Sequence, residues 1–106
     1  MASVQTLKRF ISSHARLGSL ALTFYTKDGC QLCKNAKGVL DNVIKKANNK
    51  ALKLEIIDIS KPENSDAFDK YCYDVPVLHV NRADEAKPVK FMHYFDMSKI
   101  LQEINR

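Results

Sequence analysis

A chain of 106 residues, 45% of them hydrophobic, holds one small domain with a modest core and leaves no room for a second. The net charge of +5 is uneven: Lys8, Arg9, Arg16 and Lys27 meet no acid in residues 1–27, whereas residues 28–106 carry 13 basic and 12 acidic side chains. That near-balance, with no basic stripe among aromatics, argues against a nucleic-acid partner; no apolar run approaches the ~18 residues of a membrane span, and three cysteines are too few for a secreted disulfide framework, so a reducing intracellular compartment is expected.

From the N-terminus, residues 1–19 interleave Lys8, Arg9, His14 and Arg16 with Leu7, Phe10, Ile11 and Leu17, and are rich in serine. This acid-free pattern is similar to a mitochondrial targeting segment and lacks the continuous apolar core of a secretory signal. The alternative is an N-terminal tail or surface helix on a cytoplasmic protein. The folded domain is expected over residues 20–106.

Leu20 to Thr26 is apolar and β-branched and reads as a buried strand, stopped by Lys27, Asp28 and Gly29. Leu32, Ala36, Val39, Leu40, Val43, Ile44 and Ala47 then recur at helical spacing. Leu52, Leu54, Ile56, Ile57 and Ile59 predict a second strand, parallel to the first through a right-handed crossover. Ser60 and Glu63 have capping-box spacing around Pro62, which predicts a second helix to about Tyr71. Val75 to Val80 and Val89 to Tyr94 predict an antiparallel hairpin across a polar loop. Asp96 then caps a last helix with Met97, Ile100, Leu101 and Ile104 on its apolar face.

Chemistry concentrates at Cys30 and Cys33, a C-x-x-C pair at the junction of the first strand and first helix. A thiol at a helix start lies where unpaired N–H groups and the positive end of the dipole favour a thiolate, the nucleophilic form. Cys30 is therefore the expected nucleophile. Cys33, three residues on, is placed to attack a mixed disulfide formed by Cys30 and resolve it. A zinc site needs two more ligands, and Cys72, His14, His79 and His93 supply no second close pair. Two plain core cysteines are disfavoured because the pair falls at the helix start and off its apolar stripe. Cys72 reads as a buried packing residue, with a regulatory third thiol as the alternative, and His79 and His93 read as strand residues.

The order βαβαββα with C-x-x-C opening the first helix, followed by Asp74, Val75, Pro76 and Val77, resembles the thioredoxin superfamily and in particular its glutaredoxin-like branch. The resemblance covers roughly residues 20–105 and implies an α/β fold with a four-stranded mixed sheet and three helices. It implies that the Val75–Pro76 bond is cis and that its loop faces the cysteines, the Val75 backbone offering pairing to an extended peptide or glutathione. It also implies that Lys27, three residues before Cys30, favours the thiolate and attracts a glutathione carboxylate, and that Asp96 presents a helix N-terminus to an anion. Gln31 and Leu32 stand where common dithiol glutaredoxins carry Pro-Tyr, and His93, Tyr94 and Phe95 precede Asp96 where those proteins often carry Gly-Gly. Weak glutathione binding is the expectation from that crowding.

Two functions follow. The leading one is a monomeric glutaredoxin-like thiol–disulfide oxidoreductase with no bound cofactor or metal, glutathione as a reductant, and disulfide-containing or glutathionylated proteins as clients. The alternative is a non-catalytic binding protein of the same fold, or a glutathione-dependent iron–sulfur cluster carrier.

Overall fold

The computed structural model describes residues 19–47 and 51–106. The targeting segment expected in residues 1–19 lies outside them, save for the backbone of Ser19. Strand β1, Ser19–Thr26, is central. On one side it pairs in parallel with β2, Ala51–Asp58, from Ser19 opposite Ala51 to Thr26 opposite Asp58. On the other it pairs antiparallel with β3, Val77–Arg82, which pairs in turn with β4, Val89–Met92. Helix α1, Gln31–Lys46, makes the crossover, α2 is Ser65–Tyr71 after a 3-10 turn at Pro62–Asn64, and α3 is Met97–Asn105. The four-stranded mixed sheet, ordered β2-β1-β3-β4, and its three helices are those expected.

Alternation along β1 and β3 builds two apolar clusters. Leu20, Leu22 and Phe24 with Leu78 and Val80 meet Ala36, Leu40 and Val43 of α1 and Ile100 and Ile104 of α3. Side chains of the other parity, Tyr25 and Val77, join Tyr71 and Ala67 of α2 with Ile59, Val75 and Cys33. Successive strand residues face opposite ways, so α1 and α3 cover one face of the sheet and α2 the other. Leu40 and Val43 are fully buried, each stabilising by roughly 1.5–3 kcal/mol relative to exposure. Lys45 and Lys46 in the last turn of α1 complement its dipole, and Asp96 caps α3 as expected, its carboxylate accepting the Lys99 N–H at 3.3 Å.

Several element ends differ from the sequence reading, and four of the differences have a local cause. The Ser60–Glu63 capping box does not form. Asp58 draws both the N–H and the hydroxyl of Ser60 onto Oδ1, an Asx turn that competes with the cap, and no side chain caps the following turn. β2 ends at Asp58, and Ile59 turns inward with its N–H on the Thr26 carbonyl oxygen at 2.9 Å. β3 begins at Val77 instead of Val75, because the Val75–Pro76 bond is cis and Pro76 has no N–H for the ladder. β4 stops at Met92, short of Tyr94, because His93 takes φ 64°, outside the strand region. Among the described residues no helix is long and apolar enough to cross a membrane.

Candidate active site

The turn Lys27-Asp28-Gly29 carries the chain from β1 into α1, and Gly29 at φ 75° occupies a conformation that glycine adopts without steric cost. Cys30 follows in extended geometry as the N-cap. Its Sγ accepts the N–H of Cys33 at 3.2 Å, and its carbonyl oxygen accepts the N–H of Lys34 at 3.2 Å. The cap sulfur therefore replaces the oxygen of a Ser or Asp cap, and a negative charge on it gains a backbone donor and the positive end of a 16-residue helix. No acidic side chain in the first turn opposes that field.

Cys33 is only 2% exposed and packs with Ile59, Tyr71, Val75 and Val77. This corrects the expectation that the pair lies off the apolar stripe: Cys33, Ala36, Leu40 and Val43 are the buried positions of α1, and Leu32 is half-buried beside them. Burial pushes the Cys33 thiol up, as does its hydrogen bond to Cys30, while the Thr26 hydroxyl and the Lys27 backbone pull it down. All three cysteines are free thiols.

A cleft of about 390 Å³ opens at the C-terminal ends of β1 and β2 and brings Lys27, Cys30 and Cys33 together. Lys27 rests its Nζ 3.4 Å from the carbonyl oxygen of Cys72. Val75 packs against the cysteine cluster, but its N–H donates to the Tyr71 carbonyl oxygen at 3.1 Å and is not open for a strand-like partner. The Pro76 carbonyl oxygen accepts the His93 N–H at 2.8 Å, so the cis loop is tied on both flanks. Asp96 does not line the cleft. Cys72 is half-buried at the end of α2, less enclosed than expected. His93 lies beyond β4, its Nε2 3.9 Å from Asp74 Oδ1, whereas His79 is a β3 residue buried against Tyr71. Among the described residues no group of three or more His, Cys, Asp or Glu side chains gathers to hold a metal ion.

The family profile described as Glutaredoxin-like domain (DUF836) matches residues 21–105. The chain belongs to that family. This glutaredoxin-like domain is 32% identical over 93 residues to the Glutaredoxin-like protein YDR286C homolog of Dictyostelium discoideum, covering 80% of this chain and 82% of the relative. Its fold is similar to thioredoxin O2 from Arabidopsis thaliana in its oxidised state, with TM-score 0.64 and 16% identity over 93% of this chain and 89% of that one. It is also similar to malaria-parasite thioredoxin-2, with TM-score 0.65 and 16% identity over 81% of each chain. The glutaredoxin-like domain thus joins a capped, half-buried cysteine to a buried one across a single helical turn. Spacing located both sulfurs, but Thr26 and Tyr71 beside Cys33 carried no local signal, since they come from β1 and α2.

Proposed function

We propose that the protein is a thiol–disulfide oxidoreductase working through Cys30 and Cys33. The observation that carries this reading is the asymmetry of the pair, with Sγ of Cys30 as hydrogen-bond acceptor at a helix start and Cys33 enclosed behind it. Sγ of Cys30, as thiolate, attacks one sulfur of a client disulfide; the client S–S bond breaks and the leaving sulfur takes a proton from water. Burial and the neighbouring Cys30 charge keep Cys33 a thiol during this step. Once Cys30 is in a mixed disulfide its charge is gone, and the Thr26 and Lys27 hydrogen bonds that favour the Cys33 thiolate remain. Cys33 then loses its proton, bonds to Sγ of Cys30 and expels the second client thiol. The client gains two electrons and the protein ends as a Cys30–Cys33 disulfide.

The clients are disulfide-containing or glutathionylated proteins met by the monomer, without a bound cofactor. Glutathione or a comparable small thiol returns the electrons. The engaged Val75 N–H and the Tyr94-Phe95 pair support slow use of glutathione. A mitochondrial destination is supported by the acid-free composition of residues 1–19 and is tested by fractionating cells that express the full chain.

Turnover of a small neutral disulfide, coupled to a dithiol reductant, tests the chemistry. C30S is expected to abolish it, and C33S to accumulate a mixed disulfide at Cys30. Undiminished turnover by C30S would overturn the assignment.

A further inference from the structure

Resolution requires a buried thiol to ionise, and the enclosure of Cys33 gives that charge little support. Ile59, Val75 and Val77 around it are aliphatic, and the Tyr71 phenol of the same cluster is committed to His79 at 2.7 Å. A thiolate formed in such surroundings loses its hydration and needs hydrogen-bond donors in place of water. Two reach the sulfur, the Lys27 backbone and the Thr26 hydroxyl. The first belongs to the main chain, whereas the second is a choice of side chain.

Thr26 ends β1 opposite Asp58 of β2. Its carbonyl oxygen accepts the Ile59 N–H at 2.9 Å, so its backbone is held by the ladder and by the turn beyond it. Strand alternation puts its side chain on the Phe24 side of the sheet, the face that α1 covers, and branching at Cβ restricts its rotamers. Thr26, Cys30 and Cys33 line the same cleft. The half-buried Thr26 thus joins the enclosed sulfur to the open cleft. Asp58 also lines that cleft, but the Ser60 hydroxyl and N–H occupy its Oδ1 and hold its carboxyl below the usual range, which makes it a weak base for a thiol.

Resting on the reading of Cys33 as the resolving thiol, we infer that Thr26 is a further catalytic residue, its hydroxyl serving the ionisation of Cys33 in the resolution step. A hydroxyl can accept from S–H and donate to S⁻, so it stays bonded to the sulfur in both states without changing its own charge. Once the client is held on Cys30, the Cys33 proton passes to water in the cleft and the Thr26 O–H turns to the thiolate. Cys33 Sγ then bonds to Cys30 Sγ, and the bond from Cys30 to the client sulfur breaks. The client thiolate leaves with that electron pair and takes a proton from water. Thr26 therefore sets how long the mixed disulfide lasts.

The test mixes the reduced full-length protein with one equivalent of 4,4′-dithiodipyridine and follows the release of thiopyridone. Attack by Cys30 releases the first half of the probe, and closure by Cys33 releases the second. Every protein compared carries C72A, which takes the third thiol out of the count. The ratio of second-phase to first-phase rate is expected to fall about tenfold in T26V and in T26A, the lower end of what a hydrogen bond to a charged group is worth. T26S keeps the hydroxyl and is expected to keep the ratio. The second phase of T26V and T26A is also expected to rise at higher pH than that of T26S. The ionisable groups on the surrounding elements are the same in all these proteins: Cys30, Lys34 and Lys37 of α1, Tyr25 of β1, Asp58 of β2, Tyr71 of α2, and Lys27 and Asp28 of the turn. If T26V does not fold, the contrast of T26A with T26S decides. Unchanged ratios in the variants lacking the hydroxyl, an equal loss in T26S, or a loss without the pH displacement overturns the inference while leaving the Cys30 chemistry standing. Absence of the first phase with Thr26 in place overturns the oxidoreductase reading itself, and a first phase with no second overturns Cys33 as the resolving thiol.

Discussion

The phenolic oxygen of Tyr71 lies 2.7 Å from Nε2 of His79, joining the end of α2 to the middle of β3. The Tyr25 ring packs on both partners, with centroids 4.8 Å from Tyr71 and 4.9 Å from His79. Tyr71 also belongs to the apolar cluster that encloses Cys33, so the hydrogen bond ties that cluster to β3.

Burial, with the Lys90 and Lys70 cations, holds the His79 imidazole below its ordinary value of 6.5. A histidine whose folded value is depressed contributes stability that is present above the unfolded value and lost as pH falls through the folded one. Thermal midpoints are therefore expected to decline as pH drops below 6.5, and H79Q is expected to flatten that decline. Parallel pH profiles for the two proteins would contradict this origin.

Cys33 is governed by the opposite sign. Burial raises its thiol above its ordinary value, so its contribution is complete below the unfolded value and is lost as pH climbs through the folded one. Iodoacetamide at neutral pH is accordingly expected to label Cys30 well before Cys33, read by peptide mass. Equal labelling of the two would remove the asymmetry on which the reaction order rests.

Helix and strand order was legible because Leu20, Leu22 and Phe24, and then Ala36, Leu40 and Val43, keep the periods their elements need. Asp96 was legible as a cap for the same local reason. What escaped was decided between segments. Ser60 looked like a helix cap until Asp58 claimed it, and Cys33 looked peripheral because the residues that bury it, Ile59, Tyr71, Val75 and Val77, lie 26 or more positions further along the chain. A positive φ at a histidine leaves no mark in composition, so β4 seemed two residues longer than it is.

That backbone position is itself testable. His93 at φ 64° bears a cost that glycine does not, and its contact to Asp74 at 3.9 Å is exposed and weak. H93G is expected to be neutral or to gain up to about 1 kcal/mol, whereas H93V is expected to lose about 1–2 kcal/mol. Denaturant midpoints for both variants check the contrast.

Tyr94 and Phe95 occupy the same short segment and differ in role. Tyr94 is 80% exposed, while the Phe95 ring meets Phe24 edge-on at 5.9 Å. F95A is expected to cost roughly 2–3 kcal/mol through lost packing. Y94G is expected to cost about 1 kcal/mol or less and to raise glutathione-coupled turnover, if crowding limits glutathione. An unchanged rate in a folded Y94G protein would locate the limit elsewhere, at the engaged Val75 N–H.

The most direct test of the central claim is peptide mapping of the protein equilibrated across dithiothreitol redox buffers. Oxidation is expected to give one intramolecular disulfide, Cys30–Cys33, formed in a single two-electron transition of about 30 mV per tenfold change in equilibrium constant, with Cys72 still reduced. Thiols persisting at Cys30 and Cys33 in the most oxidising buffer, or a bridge that uses Cys72 in place of Cys33, would contradict it.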